Sequence, residues 1–423
     1  MNHFTYKNNE LYCEDLPVAE IARQVGTPFF LYSEATLSRH FQIFDQGFAN
    51  LPHLTCFAVK ACSNIAILNL FARHGGGADI VSGGELFRAR TAGIDPDRTI
   101  YSGVGKTAAE MREALQAGIL MFNLESAQEL DRLHQVAGEL GTKAPVAFRV
   151  NPDVDPQTHP YISTGFAKNK FGIPVAEALQ EYIRARSMPG IEIRGVSCHI
   201  GSQLTRIDPF IEALRKLKDF IGRLEQEGIT IDYLDLGGGV GITYDEELPP
   251  HPHDYARAVM DELGDMNRTL ILEPGRVITG NAGILVTEVQ YTKVNTGGRE
   301  DKRFVIVDAG MNDLIRPSLY GAYHEIRPVV KKEDNDKGEI VDVVGPICES
   351  GDFMARERLL PRVHQGDLLA VMSAGAYGIS MSSNYNSRPR AAEVLVRGDR
   401  FDVIRCRENY EDLIRGESLL ELD

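Results

Sequence analysis

Short apolar runs alternate with stretches of helical spacing through the middle of the chain. The runs are Thr55–Ala61, Ala78–Val81, Thr99–Ser102, Leu120–Leu124, Pro145–Val150, Ile193–His199, Tyr233–Leu236 and Thr269–Leu272. Among the segments between them, Asn64–His74, Ala108–Ala117, Ala127–Leu140, Pro209–Glu227 and Tyr255–Leu263 repeat apolar residues every three to four positions and often stop at a glycine. A strand followed by a helix, again and again, means parallel strands. Eight such units over about 220 residues predict a closed β/α barrel of the TIM type. A doubly wound open sheet has the same alternation, because pattern does not show closure.

Beyond Gly280 the pattern changes. Ile284–Val294, Arg303–Asp308, Val341–Val343, Leu368–Ser373, Ala391–Arg397 and Arg400–Ile404 read as strands joined by turns. The expected organisation is therefore a barrel over residues 36–279 and a mainly β domain, barrel or sandwich, over 280–423. Residues 1–35 are strand-like and are expected to pair with the second domain.

Composition adds limits rather than detail. A length of 423 residues exceeds one ordinary core, while 43% hydrophobic and 25% charged residues are those of a soluble globular protein. A formal charge of -15 argues against nucleic-acid or membrane partners. No apolar run reaches the roughly 18 residues of a membrane span, and Met1-Asn-His-Phe-Thr-Tyr-Lys7 lacks a signal-peptide pattern, so a cytoplasmic location is expected. Six scattered cysteines without a C-x-x-C pair read as reduced thiols, with no metal site expected.

In such barrels chemistry sits at the C-terminal ends of the strands, and phosphate often binds after strands seven and eight. Strand seven runs into Gly237-Gly238-Gly239, and strand eight into Glu273-Pro274-Gly275-Arg276. Consecutive glycines let backbone N–H groups converge on an anion, and Arg276 adds fixed positive charge. Simple turns would also account for the glycines. Strand six ends at His199, before Gly201-Ser202; the histidine is either structural or part of a site at the mouth. Strand one ends at Lys60. It is either a snorkelling surface lysine or a desolvated amine suited to forming a Schiff base.

These segments, with Phe57-Ala58-Val59-Lys60, His199-Ile200-Gly201-Ser202 and Cys348-Glu349-Ser350-Gly351-Asp352, resemble the fold-type III pyridoxal-phosphate (PLP) decarboxylases, and do so in order along nearly the whole chain. His159–Gly165, Lys170-Phe171-Gly172, Arg316-Pro317-Ser318-Leu319-Tyr320 and Tyr323-His324 are similar to the branch that acts on diaminopimelate. The resemblance implies PLP as cofactor and decarboxylation of meso-2,6-diaminopimelate to L-lysine, the last step of lysine biosynthesis. Lys60 would carry the cofactor, Glu273 would face its ring nitrogen, and His199 its ring face. Ser202, Gly237, Gly238, Gly239, Pro274, Gly275, Arg276 and Tyr377 would surround it, with Asp79 nearby. Cys348 would donate a proton from the second subunit of a homodimer. Its alternative is a buried structural cysteine. Arg316 would meet the distal carboxylate of the substrate, with Arg276, Tyr320, Glu349 and Tyr377 contributing; the alternative for Arg316 is an ordinary surface or interface ion pair. Ornithine, arginine or carboxynorspermidine as substrate, and a racemase of similar architecture, are the other readings.

Overall fold

The computed structural model describes residues 2–155, 170–297, 301–332 and 338–420. It has two compact units, one of Ser38–Ile278 and one of Met1–Leu37 with Thr279–Asp423. The segment His159–Gly165 lies outside the described residues.

In the first unit eight parallel strands follow one another in space as in sequence: His53–Ala58, Gly77–Ile80, Thr99–Tyr101, Met121–Leu124, Ala144–Asn151, Ile191–Ser197, Tyr233–Asp235 and Thr269–Leu272. The last pairs with the first through Leu270↔His53 and Leu272↔Thr55, so the sheet is a closed barrel and the open-sheet alternative falls. They are numbered one to eight below.

Side chains of one face of a strand recur every second residue. Leu54, Cys56, Ile100, Met121, Ala147 and Ile271 form one buried apolar cluster, with Tyr233 against it. One pleat further along, positions of the same parity carry Ser102, Asn123, Arg149, Asp235 and Glu273, all buried. The barrel thus changes from apolar to polar near the C-terminal ends of its strands.

Helices after strands two to four start on a serine or threonine whose hydroxyl accepts an N–H three residues on: Ser82 from Glu85, Thr107 from Glu110, Ser126 from Glu129. This satisfies a donor that the first turn leaves over, and it sets a glutamate beside the barrel mouth each time.

Two local features depart from simple alternation. Strand one stops at Ala58, where its ladder with strand two ends at Ala58↔Asp79, and Val59–Ala61 form a 3-10 turn. Lys60 therefore projects from a turn and does not close the strand. In strand six the register against strand five shifts between Ile193 and Gly195. The Tyr182 hydroxyl sits beside this bulge, accepting the Phe148 N–H at 3.1 Å and donating to Gly195 O at 2.7 Å.

In the second unit a nine-stranded sheet is centred on the long strand Gly283–Asn295, flanked by Lys302–Val307 and by Phe29–Ser33. The strand Phe353–Leu360 escapes sequence pattern because Arg356-Glu357-Arg358 break its apolar alternation. Of the first thirty residues, Val18–Val25 are a helix, contrary to the strand-like reading; Val18, Ile21 and Ala22 bury an amphipathic stripe against Phe29, Leu31, Ile284 and Val394.

Tyr182→Phe should destabilise the protein by about 1–3 kcal/mol, because it leaves a buried N–H and carbonyl without their bridge. Denaturant unfolding reads this, and an unchanged midpoint would mean the hydroxyl is dispensable.

Candidate active site

Lys60 and Asp79 form an ion pair across the mouth, the lysine about one-third exposed and the aspartate fully buried. The second Asp79 oxygen, Oδ1, is buried without a hydrogen-bond partner. Asn123 connects the other two acids: its Nδ2 donates to Asp235 Oδ2 at 2.7 Å and lies 3.5 Å from Glu273 Oε1. Ser102 Oγ donates to Glu273 Oε1 at 3.4 Å, and Ser197 Oγ to Asp235 Oδ2 at 3.2 Å. Asp235 Oδ1 accepts the Gly237 N–H at 2.9 Å, which fixes the start of the glycine turn.

Three buried carboxylates thus crowd around one ammonium. Burial pushes Glu273 well above the usual carboxylate range, and the charges of Asp235 and Asp79 push it further; Lys60 pulls the other way. Burial lifts Asp235 to about 6, against hydrogen bonds from Gly237 and Asn123. Glu85, one turn into the helix after strand two, rises to about 7 through desolvation, opposed by Lys60.

His199 follows strand six, and Gly238 N–H donates to its Nδ1 at 3.1 Å. Burial, and then the charges of Arg149 and Lys60, hold its pKa well below the usual value, so the ring is neutral at pH 7. Gly237 has φ +65° and Gly239 +118°, both left-handed. A Cβ on Gly237 would stand 2.7 Å from His199 Nδ1, and one on Gly238 2.1 Å from Glu273 O. Only glycine lets this turn lie against strands six and eight. Gly275 is similarly close to Ala58 and Ala61, where a Cβ would meet methyl groups at 3.1 and 3.0 Å. Pro274 O accepts the Ala58 N–H at 3.0 Å, joining the end of strand eight to that of strand one. Arg276 is buried, donating to Tyr244 OH at 2.7 Å and Ser202 Oγ at 3.1 Å.

The remaining sequence-derived candidates lie in the second unit. Arg316 is buried, which removes the surface ion-pair alternative; its Nη1 donates to His324 Nε2 at 2.8 Å while His324 Nδ1 donates to Met372 O. Cys348 is exposed, so the buried structural cysteine is excluded. Its N–H is held by Asn386 Oδ1 at 2.8 Å, and Asp352 accepts the Ile347 N–H at 2.7 Å. Glu349 is exposed and Tyr320 half-buried. Tyr377 is also half-buried and takes φ +55°, a costly conformation for a non-glycine residue.

Sequence reading missed Ser102, Asn123, Asp235 and Tyr244 of this site, and Glu85 beside it. A signal existed for two of them: Asn123 and Asp235 are polar residues inside otherwise apolar strands. Among the described residues no group of His, Cys, Asp and Glu side chains could hold a metal ion, and no helix is long and apolar enough to cross a membrane.

Residues 34–280 match the family of the pyridoxal-dependent decarboxylase, pyridoxal binding domain. The diaminopimelate decarboxylase of Haemophilus influenzae is 52% identical over 99% of this chain and all of its own length. Among solved structures, diaminopimelate decarboxylase from M. jannaschii in complex with L-lysine superposes with a TM-score of 0.92 at 39% identity, covering 99% of this chain and 98% of its own. The enzyme from Helicobacter pylori complexed with L-lysine gives 0.89 at 44%, covering 94% and 98%.

The residues present fit PLP. The raised acids Asp235 and Glu273 would be stabilised as carboxylates by a cation such as a protonated pyridine nitrogen. Asp79 Oδ1 is an unsatisfied buried acceptor. The glycine turn, Ser202 and Arg276 offer donors and positive charge suited to a phosphate.

The acid cluster sets a pH dependence. A carboxyl whose pKa is raised on folding binds protons more tightly in the folded state, so stability falls as pH rises from the unfolded value, about 3.9 for Asp, through the folded value of about 6 for Asp235. Without added cofactor, melting temperature should fall between about pH 4 and 6. Asp235→Asn should flatten that slope; equal slopes in both proteins would refute the assignment.

Proposed function

Because the chain belongs to the pyridoxal-dependent decarboxylases, and within them to the diaminopimelate decarboxylases, we propose that it converts meso-2,6-diaminopimelate to L-lysine and CO2, the last step of lysine biosynthesis. The observation that carries this reading is the barrel mouth, where a lysine amine stands against three buried carboxylates beside a glycine and arginine anion cradle. It works as a cytoplasmic homodimer.

PLP, when bound, withdraws electrons from the substrate α-carbon, so that the bond to its carboxylate can break. Lys60 would hold PLP and give way to the substrate amine. Glu273 would stand by its ring nitrogen, where a cation would favour the carboxylate form of this buried acid. Neutral His199 would support the ring. Arg276, Ser202, Gly237, Gly238 and Gly239 would hold the phosphate, with Pro274 and Gly275 shaping the turn and Tyr377 contributing. Asp79 pairs with the Lys60 amine and sets its direction at the mouth.

As CO2 leaves, the bonding electron pair stays on the substrate side, and the α-carbon takes a proton from Cys348 Sγ of the second subunit. The exposure of Cys348, on a loop held by Asn386 and Asp352, supports this role. Arg316 pairs with the distal carboxylate and Glu349 with the distal ammonium, while Tyr320, Tyr377 and Arg276 add hydrogen bonds. An ornithine-type substrate would bring no second carboxylate to Arg316, which disfavours it.

Purified protein with PLP should release CO2 and lysine from meso-diaminopimelate, and neither CO2 nor an amine from ornithine or arginine. Turnover of ornithine or arginine instead would overturn the roles of Arg316 and Glu349. Shared sites are tested by mixing Lys60→Ala chains with Cys348→Ala chains, each inactive alone. Mixed dimers should regain part of the activity, and verified heterodimers without activity would contradict sharing.

A further inference from the structure

A second set of buried charges runs across the ends of strands four, five and six, apart from the acid cluster. Lys106 has no exposed side-chain surface. Its Nζ donates to Gly103 O at 2.7 Å, Asn123 O at 2.8 Å and Glu129 Oε1 at 2.6 Å. The other Glu129 oxygen accepts the Glu125 N–H at 2.7 Å. Glu125 in turn divides its carboxylate: Oε1 accepts Arg149 Nη1 at 3.1 Å, and Oε2 the Gly172 N–H at 2.6 Å. Arg149 donates its remaining Nη2 to the carbonyl of His199 at 3.1 Å and lays its guanidinium 4.8 Å from the Phe171 ring centroid.

Two cations and two anions balance here, and the polar contacts run without a break from the helix after strand four to His199. Burying ion pairs in this number is weak evidence for added stability, since desolvation offsets much of their attraction. What such a network does well is hold one geometry. Glu129 is placed by its own helix start, where Ser126 caps its N–H. Glu125 and Arg149 then inherit that placement.

We infer that Glu125 and Arg149, backed by Glu129 and Lys106, are positioning residues that fix His199 at the barrel mouth and tie the chain at Phe171–Gly172 to the same point. The inference rests on the reading of His199 as the residue covering the cofactor ring. It adds why the histidine stays in place and uncharged. Two cations bear on the ring, Arg149 from strand five and Lys60 from the turn after strand one, and both oppose its protonation. The loop after strand seven meets it with the Gly238 N–H, and the charges of Asp235 and Glu273 bear on neighbouring Cys198.

The test is an NMR titration of the full chain labelled on histidine nitrogen, with and without PLP, His199 being assigned by its loss in His199→Gln. Arg149→Met should move the His199 titration upward by about one pH unit or more, since a unit charge a few ångströms away is removed. Arg149→Lys keeps the charge but replaces the planar fork, whose two nitrogens reach Glu125 and the His199 carbonyl, with a single ammonium on a shorter stem. It should leave the titration low and weaken PLP binding about tenfold through loss of alignment. A His199 titration unmoved in folded Arg149→Met overturns the inference. Should that variant not fold, unchanged PLP affinity in Arg149→Lys overturns it. Failure of the wild-type chain to bind PLP would count against the cofactor reading, and the titration without PLP would still decide this one.

Discussion

Everything at the mouth of the barrel follows from an imbalance of buried charge. Asp79, Asp235 and Glu273 are withdrawn from water, and one lysine ammonium stands among them. Such a cluster is costly, and here the cost shows in carboxyl pKa values displaced upward. A site of this kind is tuned to receive positive charge. The Lys60 ammonium offsets part of that charge through its ion pair with Asp79.

The same mouth offers the opposite chemistry on its other elements. The loops after strands seven and eight, with Ser202 and Arg276, are built for an anion, and their glycines are required by contact distances and not merely by flexibility. Barrel closure brings both chemistries to one end. Five strands that turn from apolar to polar within one pleat, at Ser102, Asn123, Arg149, Asp235 and Glu273, give a hydrophobic body and a polar rim. His199 meets the glycine turn through the Gly238 N–H. Its neutrality is maintained by burial and by two nearby cations.

The alternation of apolar runs and helical stretches was enough to lay out all eight strands, because parallel strands buried on both faces leave continuous apolar segments. Lys60, His199, the glycine turn and Arg276 could be singled out because they follow closely on strand ends, and the structure places them at that end of the barrel. Asn123 and Asp235 were not singled out, since one polar residue in a short strand does not reveal which way it faces until closure is known. Tyr244 was hidden for a different reason: nothing in the stretch after the glycine turn tells that its hydroxyl receives Arg276. Helix Val18–Val25 was read as strand-like, because eight residues of it span little more than two turns and its period is short of evidence. Cys348 could be read as core or as reagent, and its exposure rules out the core.

The most direct test of the account is to trap the cofactor where it is held. Protein loaded with PLP, reduced with borohydride and digested, should carry a pyridoxyl group on the peptide containing Lys60, and Lys60→Ala should lose both the label and the absorbance of bound cofactor. A label on another lysine such as Lys106, or an intact cofactor spectrum in Lys60→Ala, would contradict it.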